Sequence, residues 1–366
     1  MEWLSVLWFV LIAVLWIGYL VLEGFDFGVG MLLKFLPKNE REKRVMLNSI
    51  GPHWDGNEVW LLTAGGATFA AFPEWYATLF SGAYLALLLI LVALIVRICA
   101  IEWRPKIQNA EWRDRWDWIH VVGAWVPAVL WGVAFANLVQ GMKIEVLDRV
   151  TGAVVPTADV ASSLATSSHQ LTGGFFSLIT PYTLLGGLVT ASLFLSSGAI
   201  FLALKTAGEI QERAAKLAVK TSILATALAA VFVLWGQFAF SANAIGWIPL
   251  LVAALALVGV VLSTLKRREG WAFTLNVIAI ISAVTWIFVT MFPNVMPSSI
   301  DPAYSLSIAQ ASSTPYTLTV MSIVALTLVP IVLAYQAWTY WVFRKRLSTK
   351  QIPDTPAGLP MEYVEK

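Results

Sequence analysis

The hydrophobic and polar positions of this chain alternate on a long scale, as nine apolar segments separated by short polar stretches. Most of the segments are about twenty residues or longer, enough to cross a hydrocarbon core of about 30 Å. The segments cover residues 3–33, 57–73, 76–101, 118–139, 173–204, 217–240, 245–265, 271–292 and 315–343. This pattern predicts an all-α integral membrane protein with about nine transmembrane helices.

The basic residues of the loops fall almost entirely on one side of these segments. Of the 24 Lys and Arg residues, only Lys143 and Arg149 follow an even-numbered segment. Arg97, inside the end of the third segment, is counted with the larger set. Because Lys and Arg are enriched in cytoplasmic loops, the N-terminus is predicted to lie outside and the C-terminus in the cytoplasm.

Two polar stretches are longer than a connection requires. Residues 140–172 form an external loop rich in Ser, Thr, Ala and Val. Residues 348–366 form a cytoplasmic tail, in which prolines among charges predict disorder. The remainder of residues 1–347 is interpreted as a single transmembrane domain without an internal repeat.

The composition excludes a set of soluble domains. Hydrophobic residues make up 58% of the chain and charged residues 13%, whereas about a quarter of the residues of a soluble domain are charged. The net charge of +2, spread over short loops, does not indicate nucleic-acid binding. The single cysteine, Cys99, excludes an internal disulfide. The chain opens without the basic region of a signal peptide, so the first helix is expected to stay in the product.

Two acidic residues interrupt the first apolar segment. Glu23 and Asp26 are three residues apart and share one helix face. Asp26 precedes Lys34 by about 12 Å of helix, which places it inside the apolar zone or at its edge. Carboxylates within a membrane are costly and indicate ion or proton handling by default. The alternative is that both lie at the cytoplasmic interface and pair with Lys34 or Arg97.

A second pair of carboxylates, Asp55 and Glu58, lies where the second apolar segment begins. Their spacing is that of a capping box, in which side chains satisfy the free amide groups of a helix start. The other interpretation is a pair near the cytoplasmic face that accepts protons, because a cap need not be followed by so polar a run entering the membrane. Both interpretations stay open on the sequence alone.

The histidines give little support for a metal or haem site. The chain has three, His53, His120 and His169, and none belongs to an HxxxH or HExxH motif. A buried axial haem pair needs two ligands at one depth, and only His53 with His120, or one of them with a Met, comes near this. We expect a structural or interfacial role for each histidine.

Several stretches together resemble subunit II of the cytochrome bd-type quinol oxidases, most closely the members from Gram-positive bacteria. They are EGFDFGVGML (23–32), LNSIGPHWDGNEVWLLTAGGATFAAFP (47–73), WDW (116–118), MFPNVMPSS (291–299) and QAWTYWVFRKR (336–346). Their order and spacing agree along nearly the whole chain. The external loop and the tail carry little of the match.

The resemblance implies a subunit of an enzyme of the aerobic respiratory chain in the bacterial cytoplasmic membrane. Such a complex oxidises quinol and reduces oxygen to water with protons from the cytoplasm, and its subunit I carries haem b and haem d. Subunit II is implied to form two four-helix bundles plus one peripheral helix, and to support assembly and haem retention. Some members hold a structural quinone in this subunit. The presence of a small accessory subunit, and the choice between menaquinol and ubiquinol, stay open.

The resemblance also assigns roles to single positions. Asp55 matches a family carboxylate associated with proton access from the cytoplasm, and Glu58, Asp26 and Glu23 are the further proton-path candidates. Trp60 matches a residue at the lipid-facing mouth of a proposed oxygen path, with ordinary helix packing as the alternative. No catalytic, metal-binding or cofactor-binding residue is assigned.

The main alternative function is a proton-coupled secondary transporter, which the same membrane carboxylates suggest. An odd helix count without a repeat fits poorly with two inverted halves, and the resemblance covers nearly the full length. A third interpretation is a structural scaffold without a part in proton or oxygen delivery.

The charge distribution generates a prediction about topology. Reporter domains fused after even-numbered segments, or within loop 140–172, should report an external location, and a C-terminal fusion should report the cytoplasm. The reason is that the positive loops are retained on the cytoplasmic side. A C-terminal fusion found outside would contradict the assignment.

Overall fold

The computed structural model describes residues 3–241, 243–353 and 358–360, and it is dominated by membrane-length helices. The described residues form thirteen α-helices: α1 Trp3–Leu32, α2 Glu40–Ile50, α3 Trp54–Ala71, α4 Pro73–Gly82, α5 Tyr84–Trp103, α6 Ala110–Gln140, α7 Val160–Ser163, α8 Pro181–Lys205, α9 Glu209–Ala239, α10 Trp247–Leu265, α11 Glu269–Met291, α12 Ile308–Ala311 and α13 Pro315–Val342. Four short strands accompany them: β1 Ile144–Asp148, β2 Ser167–Leu171, β3 Asn294–Met296 and β4 Leu306–Ser307.

Each of the nine predicted apolar segments corresponds to helical structure. Among the described residues, eight helices are long and apolar enough to cross a membrane. The exception is α3, at the second predicted segment, which has 18 residues and carries Asp55, Asn57 and Glu58 near its start. The third predicted segment is divided between α4 and α5, which meet at Ala83.

Several helices begin earlier than the apolar pattern indicated, because polar first turns extend them beyond the membrane. Helix α6 begins at Ala110, eight residues before the predicted segment, and Asn109 caps it by accepting from the amides of Glu111 and Trp112. Helix α9 likewise begins at Glu209. An asparagine cap and acidic residues in a first turn both stabilise a helix start.

The long helices form two bundles and one outlying helix, as the resemblance implied. Helices α8, α9, α10 and α11 pack in a closed ring, each against the next. In the first bundle, α1 packs against α3 and α6, and α6 packs against α5. The two bundles meet where α8 packs against α1 and α6. Among the described residues, helix α13 makes its main helix contacts with α1 and α3. Most of its surface is exposed.

The crossing of α1 and α8 depends on two glycines. A Cβ atom added at Gly28 would overlap the carbonyl oxygen of Phe194, and one added at Gly198 would overlap the backbone of Gly28. Small residues at a membrane helix crossing let the two backbones approach closely. Gly28 and Gly198 therefore allow α1 and α8 to cross with their backbones in contact.

An ordered cap covers the helix ends on the side that the charge pattern predicts to be external. Strand β1 pairs antiparallel with β2 within the loop 140–172, and β3 pairs antiparallel with β4. A small apolar cluster ties the two sheets together, and in it Tyr304 donates to the carbonyl oxygen of Val155 at 2.9 Å. The Ser298 hydroxyl donates to the carbonyl oxygen of Ile144 at 2.7 Å. The loop 140–172 is thus folded and packed against the segment that contains β3 and β4.

The opposite end of the helices, predicted to be cytoplasmic, is held by ion pairs and by part of the tail. Arg104 pairs with both Asp117 and Glu40, on helices α6 and α2. In the tail, Ile352 is buried and the amide of Leu359 donates to the carbonyl oxygen of Lys106 at 2.8 Å. These tail residues make ordered contacts, against the expectation of disorder, because the apolar side chain of Ile352 and paired backbone groups anchor them. The rest of the predicted disordered stretch, 354–357 and 361–366, lies outside the described residues.

The glycine crossing generates a prediction about stability. Gly28→Ala should destabilise the protein by about 1–3 kcal/mol, because the added methyl group forces α1 and α8 apart. Gly270→Ala, at the start of α11 where a Cβ meets nothing within 4 Å, is the matched control and should be neutral. Thermal unfolding of the purified protein measures both. Equal midpoints for the two variants would contradict the close crossing.

Candidate functional site

The two carboxylates of α1 lie inside the first bundle, not at the cytoplasmic interface. Glu23 and Asp26 are both fully buried. Glu23 forms an ion pair with Arg97 of α5, which is itself fully buried. Lys34, the other proposed partner, pairs instead with Asp114. The interpretation that both carboxylates lie at the interface is therefore wrong, although it named the right cation for Glu23.

The structure corrects the count of loop charges at Arg97. It lies within α5, and its guanidinium stands 4.5 Å from the ring centroid of Phe27. An arginine in an apolar interior is stable only when it is paired, and here a carboxylate and an aromatic face surround it. Arg97 is thus a part of the buried cluster and not a loop charge that orients the chain.

Asp26 is held by Asn57, a fully buried residue of α3. The Asn57 amide nitrogen donates to Asp26 Oδ2 at 2.7 Å and to the carbonyl oxygen of Leu22 at 3.3 Å. The Asn57 carbonyl oxygen accepts from the Tyr340 hydroxyl at 2.8 Å and from the Gln336 amide at 3.3 Å. Asn57 therefore connects α1, α3 and α13 through hydrogen bonds in the membrane interior.

Trp60 lies at the seam between α1, α3 and α13. Its ring is half-buried and covers Gly18, where a Cβ atom would overlap the ring. Its indole N–H donates to Gln336 Oε1 at 3.0 Å. These contacts account for the tryptophan through packing and a hydrogen bond, and its role at an oxygen path stays a prediction.

Asp55 and Glu58 do not form a capping box. Helix α3 starts at Trp54, its N-cap position is His53, and no side chain caps it. Asp55 is exposed in the first turn, where a negative charge is favoured by the helix dipole. Glu58 lies one turn further in, half-buried, with Oε2 enclosed and without a hydrogen-bond partner. The capping interpretation of the pair is therefore wrong.

The four candidate carboxylates form one series from the surface inward. Asp55 is exposed, Glu58 is half-buried, and Asp26 and Glu23 are fully buried. Glu58 interacts electrostatically with both Glu23 and Arg97. Several buried atoms of the series and of Arg97 have no hydrogen-bond partner among the described residues and lie outside the ion pair, namely Glu23 Oε2, Asp26 Oδ1, Glu58 Oε2 and Arg97 Nε and Nη2. Buried polar atoms of this kind are the usual binding places of ordered water.

The three histidines lie in different surroundings. His53 stacks on Tyr340 with 4.2 Å between the ring centroids, and burial, with a smaller effect of Lys205, lowers the pKa of His53 to about 4. The imidazole is therefore neutral at cytoplasmic pH. His120 is buried with its ring edge against Gly30, and neither of its ring nitrogens has a hydrogen-bond partner among the described residues. His169 pairs with Glu74 at 2.8 Å in the external cap.

Sequence reasoning missed the amide and phenol groups that hold the cluster together. The sequence offered one signal for these groups, which is that Asn57, Gln336 and Tyr340 are polar residues within predicted membrane segments. Tyr340 and Asn57 are 283 positions apart, so no spacing rule connects them. Only the packing of α13 against α3 brings them together.

Comparisons with known proteins agree on one family. A family model described as cytochrome bd terminal oxidase subunit II matches residues 4–343. The cytochrome bd ubiquinol oxidase subunit 2 of Bacillus subtilis is 41% identical over 351 residues, which cover 94% of this chain and 97% of that one. The cytochrome bd-I ubiquinol oxidase subunit 2 of Escherichia coli K12 is 38% identical over 385 residues, with 96% and 97% covered.

The fold is also similar to a solved structure. A chain of the bd oxidase from Geobacillus thermodenitrificans superposes with a TM-score of 0.71 at 14% sequence identity. The alignment covers 93% of this chain and 99% of that chain. At this identity the likeness concerns the fold alone, and it supports the all-helical bundle architecture.

The buried ion pair generates a prediction about stability. Arg97→Met should destabilise the protein by about 3–5 kcal/mol, because it leaves Glu23 as an unpaired buried charge. The double variant Arg97→Met/Glu23→Gln removes both charges and should recover a large part of the loss. Thermal unfolding of the purified variants measures the difference. A double variant less stable than Arg97→Met would show that the two charges are not each other's main partner.

Proposed function

The chain belongs to the cytochrome bd terminal oxidase subunit II family, and from this premise we propose that it conducts protons from the cytoplasm towards the partner subunit. As a family member it is a subunit of a quinol oxidase in the bacterial inner membrane. The transporter alternative is not favoured, because the family match covers nearly the whole chain. The observation that carries the proposal is the series of carboxylates Asp55, Glu58, Asp26 and Glu23.

The chemistry requires such a series. Reduction of oxygen to water consumes one proton for each electron, and these protons must cross low-dielectric protein to a buried centre. Asp55 is the first station because it is exposed at the cytoplasmic start of α3. Glu58, one turn further in, brings a proton to the edge of the Glu23–Arg97 cluster. His53, neutral beside the start of the path, leaves proton uptake to the carboxylates.

The exposed face of α3 supports a partner subunit as its neighbour. Beyond the first station Asp55, this face carries Thr63 together with Gly56 and Gly66, and a Cβ atom at either glycine would meet nothing within 4 Å. Polar groups are costly against lipid tails, whereas glycines favour the close approach of another helix. We assign this face to the haem-carrying subunit I of the oxidase.

The haems are assigned to the partner as well. His53 stacks on Tyr340 and His169 pairs with Glu74 in the cap, so these two do not fit axial ligation, and the family resemblance places the haem ligands in subunit I. When bound in subunit I, haem b and haem d supply the redox chemistry that oxidises quinol and reduces oxygen. The present chain supports that subunit by packing against it, retaining its haems and supplying protons.

The orientation in the membrane follows from the same scheme. The cytoplasmic face contains α2, Asp55 and the described part of the tail, and the two-sheet cap with Lys143 and Arg149 lies outside. The N-terminus is then external and the C-terminus cytoplasmic. Protons enter at the face on which almost all loop cations are located.

The proposal predicts a specific loss in Asp55→Asn. Asparagine keeps the size and hydrogen-bonding capacity of the side chain but cannot carry a proton. Turnover of the assembled, fully haem-loaded complex should therefore slow by about tenfold or more, as when a positioned proton-transfer group is removed. Oxygen consumption with added quinol and the rate of proton uptake are the two measurements. The double variant Asp55→Asn/Glu58→Gln should be slower still.

Glu111→Gln is the matched control. Glu111 is also an exposed carboxylate in the first turn of a membrane helix at the cytoplasmic face, and it lies outside the series. Its removal should leave turnover and proton uptake unchanged. Normal rates across a pH series in both Asp55→Asn and the double variant would refute the proton path.

A further inference from the structure

The hydrogen bonds around Asn57 have a fixed direction, which originates at Trp60. An indole N–H only donates, so Gln336 must turn its carbonyl oxygen towards Trp60, at 3.0 Å. The amide nitrogen of Gln336 then faces Asn57 Oδ1, at 3.3 Å. Each group thus determines how the next one is turned.

The direction continues to the buried carboxylate. With its oxygen facing Gln336 and Tyr340, Asn57 presents its amide nitrogen to Asp26 Oδ2, at 2.7 Å. The carbonyl oxygen of Leu22, which only accepts, lies 3.3 Å from the same nitrogen and requires the same orientation. Amide orientations are ambiguous when an amide is considered alone, but here two donors and two acceptors agree.

We propose that Trp60, Gln336 and Asn57 form a directed chain of hydrogen bonds that positions Asp26 for proton exchange on its Oδ1 atom. The directed chain of hydrogen bonds keeps the Asn57 amide as a donor on Oδ2 at all times. A proton arriving at Asp26 therefore binds Oδ1, and the same atom releases it. Oδ1 is buried and has no partner among the described residues. Trp60, Gln336 and Asn57 are positioning residues, and the inference rests on the proposed proton path.

The surroundings of Asp26 make this directed donor effective. The charged or titratable groups that act on Asp26 are Glu23 on its own helix, Glu58 on α3, Arg97 on α5 and Tyr340 on α13. Only Arg97 among them is a cation, and Glu23 takes it as an ion-pair partner. The amide of Asn57 is the remaining strong donor to Asp26, and in an apolar interior its orientation matters more than in water.

The directed chain of hydrogen bonds also gives α13 a function. This helix is largely exposed, and its polar contacts with the first bundle include those of Gln336 and Tyr340 with α3. At its other end, the Ser322 hydroxyl and the Leu318 carbonyl oxygen accept from Trp8 of α1 at 3.1 and 3.2 Å. Gln336 and Tyr340 lie one helical turn apart and therefore face the same seam. The peripheral helix thus supplies both donors that orient Asn57.

The test compares Trp60→Phe, Gln336→Met and their double variant in the assembled oxidase. Phenylalanine keeps an aromatic ring on Gly18 but lacks the N–H, and methionine keeps the length of glutamine without its amide. The infrared band of the protonated Asp26 carboxyl, identified as the band lost in Asp26→Asn, is titrated with pH. The pH profile of oxygen consumption is recorded on the same samples.

Each single variant should move the titration midpoint of the Asp26 band to higher pH by about half a unit to one unit. When the Asn57 amide is a weaker donor, it stabilises the charged form of Asp26 less, by roughly the net free energy of one hydrogen bond. The double variant should match the larger single effect, because both changes break one chain. The turnover profile should shift in the same direction.

Trp286→Phe is the matched control. In the second bundle, Trp286 donates to Gln237 Oε1 at 2.8 Å, which is the same kind of indole–glutamine bond in a site without a carboxylate. This variant should move neither the band nor the profile. Unmoved midpoints in both Trp60→Phe and Gln336→Met, additive shifts in the double variant, or the lack of any titrating Asp26 band would overturn the proposal.

The two readouts separate this inference from the proton path itself. If the Asp26 band shifts as expected while Asp26→Asn and Asp55→Asn turn over at normal rates, the directed chain stands and the proton path fails. If Asp55→Asn slows turnover but the band does not respond to Trp60→Phe or Gln336→Met, the proton path stands and the chain fails.

Discussion

The ion pair between Glu23 and Arg97 is the interaction on which the first bundle depends. Neither charge is stable alone in an apolar interior, so α1 and α5 must place them together. The pair also fixes α6, because Gly123 lies against the backbone of Arg97 and leaves no room there for a larger residue. Three helices are thus arranged around one buried cation, and the other carboxylates take their positions relative to it.

The two bundles differ in what they contain. The first bundle, together with α13, holds the buried carboxylates, Arg97 and the amide groups that orient them. The second bundle encloses an apolar cavity of about 220 Å³ beside the α1–α6 side, and its buried polar pairs, such as Asn276 with Ser197, are neutral. Groups that can carry protons are therefore concentrated in the first bundle, whose α3 face is open to a partner. The second bundle supports it through the glycine crossing of α1 and α8.

The two membrane faces are built by different means. The face predicted to be external uses short β-sheets and backbone hydrogen bonds, which suit a rigid cap over the helix ends. The opposite face uses ion pairs between helices, as in the contact of Arg104 with Glu40 and Asp117. Asp55, in the first turn of α3, is left exposed.

The sequence by itself determined the membrane class, the position of nearly every helix and the residues that could carry protons. These properties follow from residue type along the chain, because apolar length sets a span and charge sets the side of a loop. Only the tertiary structure decided the burial of the Glu23–Arg97 pair, the failure of the capping box at Asp55 and the connection of Trp60 to Asp26. Each of these depends on which helix packs against which, and contacts between residues almost 300 positions apart leave no periodic signal in a single sequence.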